Sequence, residues 1–262
     1  MDLLEAYRLL IQAAEAGANV TGLADMFNEA LAGGRLGPDF GVLAARLTAE
    51  AEQARAVSLA VLAAALVAAG VLAFLLYRYR RTIVGWIWLA VWRRGFLRPG
   101  SGKARTLLFD EEVAAVVVAV AVVLLAFIAA LELRPAVAEP FSAIGLLGPG
   151  GKIGGYPSNV SAGQPVRLYI FLYNHMGRPV WYVVEVKVDN GTALPPLPNT
   201  PVLTIQRLLL EGQNWTAPLT ISFNYTGRWR LVAELWEVYP NGTTAYTGQY
   251  VQLWLNVTGT PK

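Results

Sequence analysis

The chain of 262 residues has no cysteine. That excludes a disulfide framework, a thiolate metal site and a cysteine nucleophile. Its single histidine, His175, excludes a multi-histidine metal centre. Charge is scarce as well: Asp, Glu, Lys and Arg make up 15% of the residues, against about 25% in an ordinary globular domain. This is not the composition of a highly charged enzyme or of a nucleic-acid-binding tail. With 55% apolar residues it is not a disordered chain either. No metal, no other cofactor and no nucleic-acid partner is expected. What is abundant is aliphatic and aromatic surface, which points to a membrane protein carrying a substantial folded part.

Two runs are long and apolar enough to cross a bilayer, which takes about 20 residues of helix. They are Ala56 to Tyr77 and Val113 to Leu133. Between them, residues 78–112 carry Arg78, Arg80, Arg81, Arg93, Arg94, Arg98, Lys103 and Arg105 against Asp110, Glu111 and Glu112, a balance of +5. The first 55 residues hold eight acids and four arginines, a balance of −4. Short basic loops stay in the cytoplasm, so the expectation is a two-pass cell-membrane protein with loop 78–112 cytoplasmic and both termini extracellular. Within the loop, residues 82–92 are too short to span. They read as an interfacial helix, with Trp86, Trp88 and Trp92 at the headgroup level and Arg80, Arg81, Arg93 and Arg94 on anionic lipid. A re-entrant or third spanning segment is the rival, and a third span would put the N-terminus inside.

Seven Asn-x-Ser/Thr triplets mark candidate N-glycosylation sites: Asn19, Asn159, Asn190, Asn214, Asn224, Asn241 and Asn256. Ser and Thr are about 8% of the chain, so ten asparagines should produce about one triplet by chance. None falls between residues 56 and 133, and all seven lie on the sides that the charge rule places outside. No basic n-region opens the chain, so a 55-residue tail precedes the first span unless a signal peptide lies upstream.

Residues 1–55 read as a helical hairpin or stalk. Leu3, Tyr7, Leu10, Ile11 and Ala14 share one helical face; Gly17 ends that helix; Thr21 caps the next, which carries Leu23, Met26, Phe27 and Leu31. A third helix begins near Asp39 and runs into the first apolar run. The hairpin is a structural cap or, in a sharper reading, a dock for a partner. Residues 134–155 read as a linker and 156–262 as a β domain. There Val166, Leu168, Ile170 and Leu172 alternate with polar or aromatic neighbours, as do Val180, Tyr182, Val184, Val186 and Val188, and residues 174–178 link the two runs as a hairpin. Further strands are expected near 201–210, 217–223, 229–238 and 246–257. About seven strands make an immunoglobulin-like two-sheet sandwich. The fold class expected is therefore a membrane protein, α plus all-β: a helical hairpin, two transmembrane helices and a C-terminal sandwich.

The chemistry on offer is thin. The glycine-rich stretch 145–157 fails the phosphate-loop pattern, because Leu146 stands where the first glycine is required and Ile153 follows Lys152. It reads as a flexible lead-in loop. His175 sits in a turn without a second histidine. The six acids after residue 134 (Glu139, Glu185, Asp189, Glu211, Glu234 and Glu237) include Glu234 and Glu237, but three residues apart on a strand these two face opposite ways, which argues against paired-carboxylate hydrolysis. Trp181, Trp215, Trp229, Trp236 and Trp254 either fill the sandwich or form a sugar-stacking platform.

Asp110 to Ala114, Pro140 to Pro157, Gly163 to Val188 and Glu234 to Thr258 together resemble an uncharacterised family of archaeal membrane proteins whose outer part is a domain of unknown function. The Gly163-Gln164-Pro165-Val166 opening, followed by alternating strands, is similar to archaeal cell-adhesion-type immunoglobulin-like modules. The resemblance implies an archaeal cell-envelope protein and transfers no catalytic residue. Absence of cysteine fits a thermophilic origin. The expected function is display of a glycosylated extracellular immunoglobulin-like domain in a structural or adhesive role, without enzymatic activity. Its partners would be the lipid bilayer and envelope proteins or glycans, its oligomeric state open. The alternatives are an accessory subunit of a membrane complex for glycosylation, secretion or envelope assembly, and an extracellular hydrolase.

Overall fold

A computed structural model describes residues 1–79 and 139–259 and, between them, only residues 82, 85, 86, 120, 123 and 127. The chain divides into two compact units, Met1–Gln53 with Val137–Lys262, and Ala54–Ala136.

The first unit is a sandwich with a helical cap. Strands β1 (Phe141–Leu147), β3 (Pro165–His175) and β6 (Asn214–Ser222) form an antiparallel sheet in the order β1-β3-β6. The facing sheet has the order β2-β8-β7-β4-β5, built from β2 (Asn159–Ser161), β4 (Val180–Asp189), β5 (Leu203–Leu209), β7 (Gly227–Val238) and β8 (Thr244–Thr258). This is the immunoglobulin-type arrangement of an A-B-E sheet against a G-F-C-C′ sheet. Strand β1 lies inside the segment read from sequence as a linker. Phe141-Ser-Ala-Ile-Gly-Leu-Leu has a glycine and two small residues, and so lacks the hydrophobic alternation that betrays a strand. The glycine-rich stretch closes just after it, where Gly148 N–H donates to the Lys152 carbonyl and Gly151 N–H to that of Gly148.

The alternating residues meet between the sheets. Val166, Leu168, Ile170 and Leu172 of β3 pack with Val180, Tyr182, Val184 and Val186 of β4 and with Leu231, Ala233 and Leu235 of β7. Ile170 and Leu235 are fully buried in this core, so packing does the work a disulfide often does between these sheets.

Helices α1 (Leu3–Glu15) and α2 (Thr21–Leu31) bury Tyr7, Leu10, Leu23 and Phe27, faces close to those the 3.6-residue period predicts. Gly17, at φ +93°, ends α1 where a side chain would be strained. Thr21 does not cap α2. Asn19 does the corresponding work, its Oδ1 accepting from both N–H and Oγ1 of Thr21. The two helices and the first turns of α3 (Phe40–Arg78) share a second core with Trp181, Val183, Leu208 and Val238. These four residues belong to the outer face of the five-stranded sheet.

The two-span architecture is corrected by this structure. Among the described residues no helix is long and apolar enough to cross a membrane. The run 56–77 is not an element of its own. It is the later part of α3, a helix that starts with Phe40 and Ala44 buried in the protein's own core and then carries Arg46, Glu50, Glu52 and Arg55. That a third helix begins near Asp39 and runs into the apolar stretch is as expected; what fails is counting residues 56–77 as a separate membrane-crossing element. The run 113–133 lies outside the described residues except for the helical positions Val120, Val123 and Phe127. Loop 78–112 does so except for Arg78, Tyr79, Thr82, Gly85 and Trp86. The first unit is thus a β-sandwich with a helical cap.

Candidate functional site

The outer faces of the two sheets differ. On the five-stranded sheet, cross-strand register lines up Trp181 with Val238, Val183 with Trp236, Glu185 with Glu234, Lys187 with Val232 and Asp189 with Arg230. One end of this face lies under the helices. There Trp181 meets Tyr7 and Phe27 edge-on, with ring centroids 5.7 and 5.3 Å apart. Asn28 pairs with the open edge of β5: its Nδ2 donates to the Leu208 carbonyl at 3.0 Å and its Oδ1 accepts from Leu208 N–H at 2.8 Å. The carboxamide takes the place of a missing strand and blunts the edge.

The other end lies under residues 190–202. Lys187 Nζ sits 2.8 Å from Glu234, 2.9 Å from Glu185 and 2.8 Å from the Leu197 carbonyl, and Leu197 N–H donates to Glu234. Glu234 and Lys187 are buried. Burial works against the ammonium, but its hydrogen bonds to the Glu234 and Glu185 carboxylates prevail and hold the Lys187 pKa above its usual value. Arg230 clamps Asp189 at 2.7 Å and also donates to the Ala193 carbonyl. Burial opposes ionisation of Asp189; the guanidinium and the Gly191 and Asn190 N–H groups outweigh it and keep the pKa below the ordinary carboxylate range. Arg178 pairs with Glu237; Glu211 lies 2.7 Å from His175 Nδ1 and accepts a hydrogen bond from Gly177 N–H. Of the six acids after residue 134, all but Glu139 are therefore tied into pairs that join strands and loops. Glu234 and Glu237 do face opposite ways, the latter beside Tyr182. Among the described residues no cluster of potential metal ligands occurs.

The tryptophans do not make a platform. Trp181 is in the cap core, and Trp236 packs at its margin. Trp215 and Trp229 pack against the sandwich core. Trp254 is covered by the Arg228 and Arg230 guanidinium groups, 4.6 and 5.7 Å from its centroid. The aromatic face lies elsewhere, on the outside of the three-stranded sheet. β3 carries Tyr169, Phe171, Tyr173 and His175 there. β1 places Leu147, Gly145, Ala143 and Phe141 opposite them, and β6 places Pro218, Thr216 and Asn214 opposite the first three. Phe141, 45% exposed, stands 5.8 Å from Tyr173 and 5.1 Å from His175, and Tyr173 stacks on His175 at 6.1 Å. None of these rings belongs to either hydrophobic core. The complement of the Val166–Leu172 alternation held this signal: Tyr, Phe and Tyr occupy positions where a sheet facing only water would carry polar residues. Attention to tryptophan missed it.

All seven triplet asparagines are exposed, whereas Asn28 and Asn174 are buried and Asn199 is half-buried. Asn174 is fully used: Nδ2 donates to the Arg178 and Leu209 carbonyls, and Oδ1 accepts from Met176 N–H and the Tyr182 hydroxyl. Burial pushes that hydroxyl's pKa up. Of the expected interfacial residues, Trp86 is helical and exposed; Arg80, Arg81, Trp88, Trp92, Arg93 and Arg94 lie outside the described residues.

Residues 135–258, just under half of the chain, match the family model of a domain of unknown function, DUF1616. No curated protein matches the chain. Solved structures similar to the sandwich include the CARDB domain of a Pyrococcus furiosus protein, crystallised with di-metal ions. It is 13% identical, with 47% of this chain and 91% of that one covered, at a TM-score of 0.33. A Listeria innocua β-glucosidase is 10% identical over 46% of this chain and 16% of its own, TM-score 0.33. An Escherichia coli alpha-2-macroglobulin is 16% identical over 48% and 17%, TM-score 0.29. Likenesses this remote assign no activity. The match to a domain of unknown function agrees with the resemblance seen in the sequence.

Proposed function

We propose that the first unit is a non-catalytic binding module that takes a neutral carbohydrate on the outer face of its three-stranded sheet. The observation that carries this reading is the aromatic row Tyr169, Phe171 and Tyr173, extended by Phe141, outside both cores. Sugar rings offer apolar C–H faces between their hydroxyls, and aromatic rings with polar neighbours match that pattern. Here the polar neighbours are the Tyr169 and Tyr173 hydroxyls, Thr216 and Asn214. The face is nearly free of charge: Arg167 stands at one end, and the His175–Glu211 pair at the other. The commitment of the acids to structural pairs favours binding over hydrolysis.

The module works on the outer side of the cell and carries N-glycans at triplets away from that face. The surface exposure of the six triplet asparagines other than Asn214 supports this. Residues 1–53 and 137–262 share one core, so both stretches occupy the same compartment. The test is titration of the full chain with neutral glucan and mannan oligosaccharides. One of them should bind, and Tyr173→Ala should weaken it about tenfold, the value of one lost ring contact. Binding by none, or equal binding by the variant, overturns the proposal.

A further inference from the structure

Two of the acceptor triplets lie abreast. Strand β2 is itself the triplet Asn159-Val160-Ser161, and it runs parallel to Asn256-Val257-Thr258 of β8, residue for residue. Asn256 Nδ2 donates to Asn159 Oδ1 at 3.2 Å. The ladder is held on both flanks: Asn256 N–H donates to the Ser158 carbonyl and Ala162 N–H to that of Thr258, each at 2.8 Å. Thr258 Oγ1 donates to the Val160 carbonyl at 3.3 Å. Adjacent strands stand about 4.8 Å apart. Directly paired side chains project the same way, and two substituted sugar rings do not fit side by side across that gap.

We propose that Asn159 and Asn256 are mutually exclusive acceptors, so that the folded chain carries one N-glycan on the β2–β8 edge and never two. The inference rests on the glycosylation reading above. Asn159 is the preferred acceptor. Its Nδ2 makes only a 3.5 Å contact with Ser158 Oγ, whereas the Asn256 nitrogen is bound to its neighbour and the Thr258 hydroxyl is engaged. In the transfer, Asn159 Nδ2 attacks the anomeric carbon of a lipid-phosphate-linked oligosaccharide held by a separate transferase. The C–N bond forms, the bond from the anomeric carbon to the phosphate oxygen breaks, the phosphate leaves with the electron pair, and Nδ2 releases one proton. A first glycan then covers the neighbouring carboxamide.

The experiment uses the full chain made in an N-glycosylating host, with Asn19, Asn190, Asn214, Asn224 and Asn241 each replaced by Gln. Intact mass counts glycans on the remaining pair. The doubly modified fraction should be at most about a tenth of what independent sites would give, namely the product of the single occupancies. Glycopeptides should place most of the glycan on Asn159. Asn159→Gln should then roughly double the occupancy of Asn256. A doubly modified fraction equal to the product overturns the exclusion. A bare pair in a chain whose wild type is glycosylated elsewhere overturns it while sparing the broader reading. A wild type bare at all seven positions overturns both.

Discussion

The five-stranded sheet is covered on both faces, by different means. Its inner face meets the three-stranded sheet through aliphatic side chains, together with Tyr182. Its outer face meets helices from the far end of the chain through Tyr7, Phe27 and Trp181 at one end, and loop 190–202 through Lys187, Glu234, Arg230 and Asp189 at the other. The inner contact is non-directional burial, and many aliphatic sets would serve it. The outer contact is made of groups with polar handles that need specific partners: Tyr7 Oη to the Pro179 carbonyl, Trp181 Nε1 to Gln206, Asn28 to Leu208. Such a surface gives a unique docking geometry and fails when one partner is removed.

That contrast can be broken at several points. The largest effect should follow Glu234→Ala, which leaves Lys187 buried with Glu185 alone and Leu197 N–H unpaired. Loss of about 3–5 kcal/mol is expected from denaturant unfolding, and a loss below 1 kcal/mol would mean the pair is solvated. Phe27→Ala should cost about 3–5 kcal/mol and Ile170→Ala about 2–5 kcal/mol. Hydrogen exchange separates them: Phe27→Ala should release amides of α1 and α2 while β3 stays protected, and Ile170→Ala should expose both. Identical exchange patterns would show that cap and sandwich open as one.

Asn28→Ala should cost about 1–3 kcal/mol, because Leu208 N–H and C=O lose their partner on the open edge; an unchanged midpoint would show that water replaces the carboxamide without penalty. Stability should also depend on pH at both extremes. The Asp189 pKa is depressed on folding, so its contribution is present above about pH 4, the unfolded value, and fades as pH falls toward the folded one. The Lys187 pKa is raised, so its contribution is complete below about pH 10, the unfolded value, and fades as pH rises toward and through the folded one. Acid and alkaline unfolding of Asp189→Asn and Lys187→Met variants would reveal whether these groups are responsible. The smallest stability change, within about 0.5 kcal/mol, is expected for Tyr173→Ala on the open face, where the loss should appear in binding instead.

The inner face was legible in sequence, because alternation in 166–172 and 180–188 reports burial of one side directly. The cap helices were legible as amphipathic elements through Tyr7, Leu10, Leu23 and Phe27. Their partner was not, because alternation in one strand shows which residues share the second face, here Trp181 and Val183, but not what covers that face. β1 escaped because its glycine and two small residues break the pattern. The aromatic row on β3 is visible as the neighbours of the Val166–Leu172 alternation, but one strand alone does not show that its other side stays outside both cores. The helix that runs from near Asp39 into the apolar stretch was legible; reading residues 56–77 as a span of their own was not upheld, because hydropathy scores a window and α3 is one helix that begins inside the protein core.

The bond between Asn28 and Leu208 joins residues 180 positions apart. At a ribosomal pace of about 5–20 residues per second, α2 emerges roughly 10–40 seconds before the strand on which it rests. The first helices to be made thus wait with their sheet-facing apolar stripes bare until β5 has emerged. Newborn chains would be most vulnerable to proteases and most dependent on chaperones over that interval, and a truncation just short of β4 would leave the amino-terminal segment permanently without its seat.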